Sequence, residues 1–468
     1  MAKSPAQGAP FDPFVAPLVL GAEAPPISER GTFAFLRGHL FGSLPQILLT
    51  LFGAWLLYVT VPPLVQFFLI DAVWTGTSRD ACLPEKVGRP VGACWPFIWA
   101  KFDQLVYGFY PASARWRVNL VYALSALLLL PLLIQRLPYK RLNAIAFFGV
   151  FPVVAFILLT GGNMEPKGFL LSWLGLGGLF SGFGALGGVQ FGFWADFVLS
   201  AALLTALVAA VCRVVAGPQA ARPAARSTLG VLAVLAAILF AADLDLGLMP
   251  VETRLWGGLL VTLVIAVTGI TVSLPFGILL ALGRRSNLPL VKIVSIAFIE
   301  FWRGVPLITV LFFATYMLPL FLPGRMNIDG LLRALVGVAL FASAYMAEVV
   351  RGGLQAIPKG QYEGAMALGL RSGLMMRLVV LPQALKLVIP GIVNNFIGLF
   401  KDTTLVLIVS IFDLLGAMRA AFTDPSWATP TTLFTGFGFA GLVYFVFCFG
   451  MSRYSMALEK RLDRANRH

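Results

Sequence analysis

Hydrophobic positions along this chain fall into long unbroken runs, not into the alternation of strands or the one-sided stripes of helices on a soluble core. Ten runs predict membrane-crossing helices, at 44–70, 119–135, 144–160, 195–216, 228–242, 256–282, 296–321, 331–350, 387–411 and 432–451. A helix needs about 20 apolar residues to cross the hydrocarbon layer. The run at 228–242 is the weakest on that measure, so nine crossings is the rival count. Polar residues collect in the breaks. Two breaks are long, 71–118 and 161–194, and a third, 351–386, has a helical pattern of its own.

Composition agrees with that pattern. Hydrophobic residues make up 59% of the 468 and charged residues only 12%, where a soluble domain carries about twice that charge. A mean hydropathy of +0.88 over such a length describes many apolar segments, hence an all-α polytopic membrane protein. The net charge of +14 does not point to nucleic acid, which would require the basic residues to cluster on one soluble face. They sit instead in short breaks, where the positive-inside rule applies.

That rule orients the chain. The compact basic groups are Arg136, Lys140 and Arg141; Arg213, Arg222 and Arg226; Arg284, Arg285 and Lys292; and Arg453, Lys460, Arg461, Arg464 and Arg467. Ten crossings with both termini in the cytoplasm put all four groups on the inside, and dropping the fifth crossing breaks the pattern. Residues 1–43 show no apolar core behind a basic start, so no secretory signal is expected there. The stretch 11–26 is proline-rich and reads as a loose cytoplasmic tail.

On this topology 71–118 and 161–194 lie outside. Cys82 and Cys94 share the first of them, where an oxidising compartment permits a disulfide; two free thiols is the other reading. Cys212 and Cys448 fall within crossings as packing residues. The second connection is glycine-rich. Gly178 and Gly182 have the spacing that lets helices approach closely, and an interfacial loop explains them equally well.

The inside connection 351–386 has the most pattern. Pro358 and Gly360 mark a helix start, and Glu363 is expected in the first turn, where a negative charge suits the helix dipole. Ala365, Gly369 and Gly373 recur at i+4 as an exposed face of small residues, flanked by Arg371 and Arg377. Pro382 is expected to open the next helix. The segment reads as an amphipathic helix pair that either docks a partner or lies on lipid.

Ionisable groups within membrane runs are costly and tend to mark function. They are Glu300, Arg303, Glu348, Lys401 and Asp402. Glu300 and Arg303 are at i and i+3 and can meet on one helix face. With Asn394, Asn395, Thr403 and Thr404 these residues either line a polar pathway or form ion pairs and hydrogen bonds that fix helix registry.

The segment around Glu363, Gly364, Ala365, Gly369, Leu381 and Pro382 resembles the Glu-Ala-Ala loop of ABC importer permeases. Gly364 replaces the first alanine, which lowers helix propensity but keeps the position small. Three further segments resemble the polar-amino-acid branch of those permeases. They hold Glu300, Arg303, Gly304 and Pro306; Glu348, Arg351, Gly352 and Gly353; and Asn395, Lys401, Asp402 and Thr403. The order is the family's, and the match covers about residues 250–455. The pattern is most similar to the large permease subunits of general L-amino-acid importers, the AapM and BztC kind, whose shared five-helix core follows extra helices.

The resemblance implies an organisation of tail 1–43, accessory helices 44–245, permease core 250–455 and basic cytoplasmic tail 456–468. It also implies a bacterial inner-membrane location and a coupling helix, with Glu363 and Gly369 contacting an ATPase subunit dimer. A second, homologous permease and a periplasmic amino-acid-binding protein would complete the importer. The expected substrates are acidic amino acids and their amides. The chain shows no Gly-x-x-x-x-Gly-Lys-Ser/Thr stretch, so ATP and Mg belong to the partner ATPase, and no cofactor is expected on this chain. Its only histidines are His39 and His468, with no metal cluster or nucleophile motif, so neither a metal site nor catalysis is expected. An ion-gradient-driven transporter is the competing reading. It predicts inverted repeats, which the sequence lacks, and leaves 351–386 unexplained.

Overall fold

The computed structural model describes residues 38, 40–134, 137–162, 168–180, 182, 185–186, 189–244, 246–321 and 328–464. Almost all of the expected tail at 1–43 lies outside these, as do Arg136 and residues 465–468. Among the described residues nine helices are long and apolar enough to cross a membrane, and a bent pair makes a tenth. The fold is nearly all helical. Its described β ladder is a two-residue pairing, Ala185–Leu186 against Val189–Gln190.

Most crossings lie close to their apolar runs, and three differ in instructive ways. The short run at 228–242 is part of a 26-residue helix, Pro218–Asp243. Its first ten residues include alanine and arginine, good helix formers that hydropathy alone does not register. The run at 296–321 is not one helix. Pro289–Gly304 and Leu307–Phe321 meet at 102°, because Pro306 has no N–H to continue the ladder and drives Val305 out of the helical region, to φ −107° and ψ 133°. The last crossing, Thr432–Arg464, runs 33 residues, carrying the helix on through the basic stretch expected as a tail.

By contact the chain divides after Ala72; the expected boundary at 245–250 lies inside the second unit. The first unit contains the helix Leu44–Val65 with its continuing turn Gln66–Ile70, and neither of these two segments has a buried residue. A helix apolar all round suits a lipid environment.

The second unit is built around Gly258–Arg284 and Gly330–Ala356, which pack along each other. Gly277 allows the approach, since a Cβ there would lie 2.7 Å from the Cβ of Met346. At 1.5 Å per residue the 27 residues of Gly258–Arg284 separate its ends by about 40 Å. At its first end the connection 71–118 is folded onto the bundle. Helix Trp95–Tyr107 packs against Gly258–Arg284, Leu414–Phe422 and Thr432–Arg464. Phe97, Leu105, Met418 and Trp427 share one core there with Cys82 and Cys94, which are disulfide-bonded. The Cys94 N–H donates to Thr435 Oγ1 at 2.9 Å, and Lys101 pairs with Asp424. At the opposite end lies the connection 357–388. The spacing of Gly178 and Gly182 supports no close helix approach: among the described residues a Cβ at either would meet nothing within 4 Å.

Candidate functional site

The connection 357–388 begins with helix Lys359–Ala367, capped by Pro358. Glu363 therefore lies in the second turn, not the first, and the dipole argument for it does not hold. The expected small-residue face is also broken. Ala365 is 4% exposed and packs inward. Gly369 ends the helix in the left-handed region at φ +73°, and the N–H groups of Gly369 and Leu370 bond back to the carbonyls of Met366 and Ala365. That is the turn a C-terminal glycine permits. The outward edge instead presents Glu363, Gly364, Met366, Leu368 and Gly369, with Leu368 81% exposed, and Arg371 follows.

Helical structure then runs from Ser372 to Leu387 through a wide π turn at Met376–Val380. Pro382 stands in the first turn of helix Leu381–Leu387, as expected, and that helix continues directly from the π turn. A proline ring crowds the carbonyl four residues back, here that of Leu378, and a wide turn just ahead of Pro382 is a known way of relieving such crowding. Leu381 and Ala384 turn into the core formed with Met346, Val350 and Leu354.

Three side-chain contacts tie helix Lys359–Ala367 to its surroundings. Arg285, just past helix Gly258–Arg284, donates from Nη1 to the Leu354 carbonyl at 3.2 Å and to the Tyr362 hydroxyl at 3.1 Å. Tyr362 donates to the same carbonyl at 3.3 Å. Gln383 Nε2 donates to Gln361 Oε1 at 3.0 Å.

Beside this segment the charges form one cluster across three helices. Glu348, on Gly330–Ala356, is the hub. Arg284 Nη1 lies 2.9 Å from Glu348 and 2.9 Å from Glu300. Arg351 reaches Glu348 at 2.7 Å, and Arg303 reaches it at 3.8 Å. The expected pair on one helix face, Glu300 and Arg303, is 4.0 Å apart, looser than the contacts between helices. The guanidinium groups of Arg284, Arg303 and Arg351 thus share two carboxylates, and neither Arg284 nor Arg351 stood out as a partner in the sequence. The signal was indirect: two membrane-embedded glutamates need cations, and Arg284 ends the neighbouring run.

The other ionisable candidates lie elsewhere, on Ile389–Asp402 and the 3-10 turns Thr403–Val409. Asn394 and Lys401 are exposed, seven residues apart and so near one face of that helix; Asn395 and Asp402 are half-buried. Among the described residues Lys401 has no carboxylate within ion-pair distance. Thr403 is buried and donates to the Phe400 carbonyl at 2.8 Å. The structure therefore brings Glu300, Arg303 and Glu348 together and leaves Asn394, Asn395, Lys401, Asp402 and Thr403 on a separate helical segment. An apolar cavity of about 380 Å³, lined by Trp302, Phe313, Leu318, Arg333 and Leu340, belongs to neither group.

Asp196 and Asp413 are buried carboxylates outside both groups. Asp196 accepts from the backbone of Phe169, Leu171 and Ser172 and from Ser200 Oγ. Asp413 caps helix Leu414–Phe422, accepting from the N–H of Gly416 at 2.9 Å and from the Tyr444 hydroxyl at 2.9 Å. Burial pushes the Asp413 carboxyl above the usual carboxylate range, against the pull of those hydrogen bonds. An aspartate directly before a helical run is a cap signature, so this one was readable.

Residues 273–464 match a family described as the binding-protein-dependent transport system inner membrane component. The inner membrane amino-acid ABC transporter permease protein YhdY of Escherichia coli K12 is 41% identical over 429 residues, covering 92% of each chain. The glutamate/glutamine/aspartate/asparagine transport system permease protein BztC of Rhodobacter capsulatus is 41% identical over 464 residues, covering 97% of this chain and 99% of the relative. The shorter glutamate/aspartate import permease protein GltK of Escherichia coli O157:H7 is 31% identical over 219 residues, 46% of this chain and 96% of its own length.

Proposed function

The chain belongs to the amino-acid ABC transporter permeases, multi-pass proteins of the inner membrane, and from that premise we propose that it is the translocating subunit of an importer driven by a separate ATPase. The observation that carries this reading is the outward edge at Glu363, Gly364, Met366, Leu368 and Gly369. An 81% exposed leucine between a glutamate and an arginine is a surface for a protein partner with an apolar cleft and charges at its rim. The ATPase dimer is that partner, and ATP and Mg are held there. This chain binds no cofactor.

The orientation follows. With 357–388 on the cytoplasmic side, both termini are cytoplasmic, and the disulfide-bonded end at 71–118 faces the periplasm, where an amino-acid-binding protein delivers substrate. Residues 250–455 form the permease core and 44–245 the accessory region, with lipid around both. A second, homologous permease completes the pathway. Asn394, Asn395, Lys401, Asp402 and Thr403 are this chain's contribution to that pathway, and the cluster at Glu300, Arg303 and Glu348 fixes helix registry beside the coupling segment. The name of the relative BztC specifies glutamate, glutamine, aspartate and asparagine, which supports acidic amino acids and their amides as the substrates here.

Purification in mild detergent from the native host tests the class. An ATPase and a second permease should accompany the chain. Reconstituted with them, Glu363→Lys should still insert but lose uptake. Uptake by the chain alone, driven by an ion gradient, would overturn the reading.

A further inference from the structure

Helix Gly330–Ala356 stops two residues before Pro358. In an unbroken helix the Leu354 carbonyl would accept from the N–H of residue 358, but proline has none. Ile357 is extended, at φ −75° and ψ 124°, so the chain turns away there. The Leu354 carbonyl is thereby one of the orphan acceptors at a helix C-terminus. Arg285 and Tyr362 supply its donors, at 3.2 and 3.3 Å. A cation at this end also suits the helix dipole. The Arg285 guanidinium stands 5.7 Å from the centre of the Tyr362 ring while bonding its hydroxyl.

Three elements therefore meet at one joint: the end of Gly258–Arg284, the end of Gly330–Ala356 and the helix Lys359–Ala367. That last helix has nine residues, too few to hold its shape alone. Of those nine only Tyr362 and Ala365 are not exposed. Ala365 offers an apolar contact, which resists separation but allows sliding. The hydrogen bonds through Tyr362 are directional and fix the angle. Arg284, next to Arg285 in the chain, takes the separate task of joining Glu300 and Glu348.

We infer that Arg285 and Tyr362 are positioning residues that make helix Lys359–Ala367 move as one body with the ends of the two central helices. The inference rests on the coupling role proposed above. A force applied at Glu363 or Leu368 then reaches both central helices through the Tyr362 hydroxyl and the Arg285 guanidinium. With the joint loosened, the short helix follows the ATPase while the bundle lags.

The test uses the complete complex in proteoliposomes, with its ATPase, second permease and binding protein, and reads amino acid moved per ATP hydrolysed. Tyr362→Phe keeps the ring and removes the hydroxyl, and loss of its hydrogen bonds should lower that ratio by roughly threefold. Arg285→Gln should lower it further, and Arg285→Lys should recover only part, because an ammonium lacks the planar fork. ATPase retention and thermal unfolding of the Tyr362→Phe complex should stay near those of the unaltered one. A structural role alone would reduce the yield of complex and leave the ratio unchanged, and that result overturns the inference. An unaltered complex that holds no ATPase would overturn the coupling reading itself, before any variant is made.

Discussion

Arg284 Nη1 lies 2.9 Å from Glu348 Oε1 across 64 residues of sequence, joining the last turn of one central helix to the inner face of the other. The side chains are 26% and 15% exposed, so the pair is screened less than a surface bridge. Glu348 also holds Arg351 and Arg303, and removing it leaves three guanidinium groups with Glu300 alone.

Glu348→Gln should therefore destabilise the protein by about 2 kcal/mol, less than a fully buried pair would lose. Thermal unfolding in detergent measures this. A double-mutant cycle with Arg284→Gln should return a coupling of about 1 kcal/mol. A coupling near zero would mean that the contact does not hold the helices.

Two neighbouring glycines should behave in opposite ways. Gly369 stands at φ +73°, so Gly369→Ala should cost about 1–2 kcal/mol of backbone strain, although nothing lies within 4 Å of the added Cβ. Gly364 is inside a helix with open space around it, so Gly364→Ala should stabilise that helix by about 0.5–1 kcal/mol. Hydrogen exchange over 359–371 checks both.

The Cys82–Cys94 bond closes a short loop, 12 residues apart in sequence. Its removal by Cys82→Ala with Cys94→Ala should cost about 3 kcal/mol by the loop-entropy account. Thiol labelling of the unaltered, unreduced protein in denaturant should detect only Cys212 and Cys448, and labelling of all four cysteines would contradict the bond.

Asp413 and Asp424 should give pH dependences of opposite sign. The Asp413 carboxyl is raised by burial, so its contribution is complete below the ordinary carboxyl value and is lost as pH rises through its own higher one. Asp413→Asn keeps the cap and should flatten that dependence, while Asp413→Ala should lose about 1 kcal/mol at every pH. Asp424 is lowered by its bond with Lys101. It contributes above the ordinary value, and that contribution is lost as pH falls through its own lower one. Unfolding temperatures across the acidic range, with Asp424→Asn as the comparison, separate the two.

Much of this protein is determined by its sequence alone. A bilayer interior leaves backbone polar groups no partner but their own helix, so apolar runs of sufficient length identify the crossings, and the motif around Glu363, Gly369 and Pro382 identifies the segment between the eighth and ninth. Local chemistry carries further than hydropathy. Pro306 announces the break near 305, Asp413 announces a cap, and Gly369 announces a helix end more naturally than a helix face. What the sequence could not determine is which helix ends meet. Arg284 and Arg285 read as topological markers because hydropathy and charge are properties of single segments. That one reaches Glu348 and the other the orphan carbonyl of Leu354 depends on two helices packing at Gly277 and on a turn at Pro358. In the same way, the connection 71–118 reads as a loop, and only packing against Leu414–Phe422 and Thr432–Arg464 makes it part of the core. Periodicity acts over a few residues, whereas these contacts join positions tens to hundreds of residues apart, and they exist only where side-chain packing has brought the segments together.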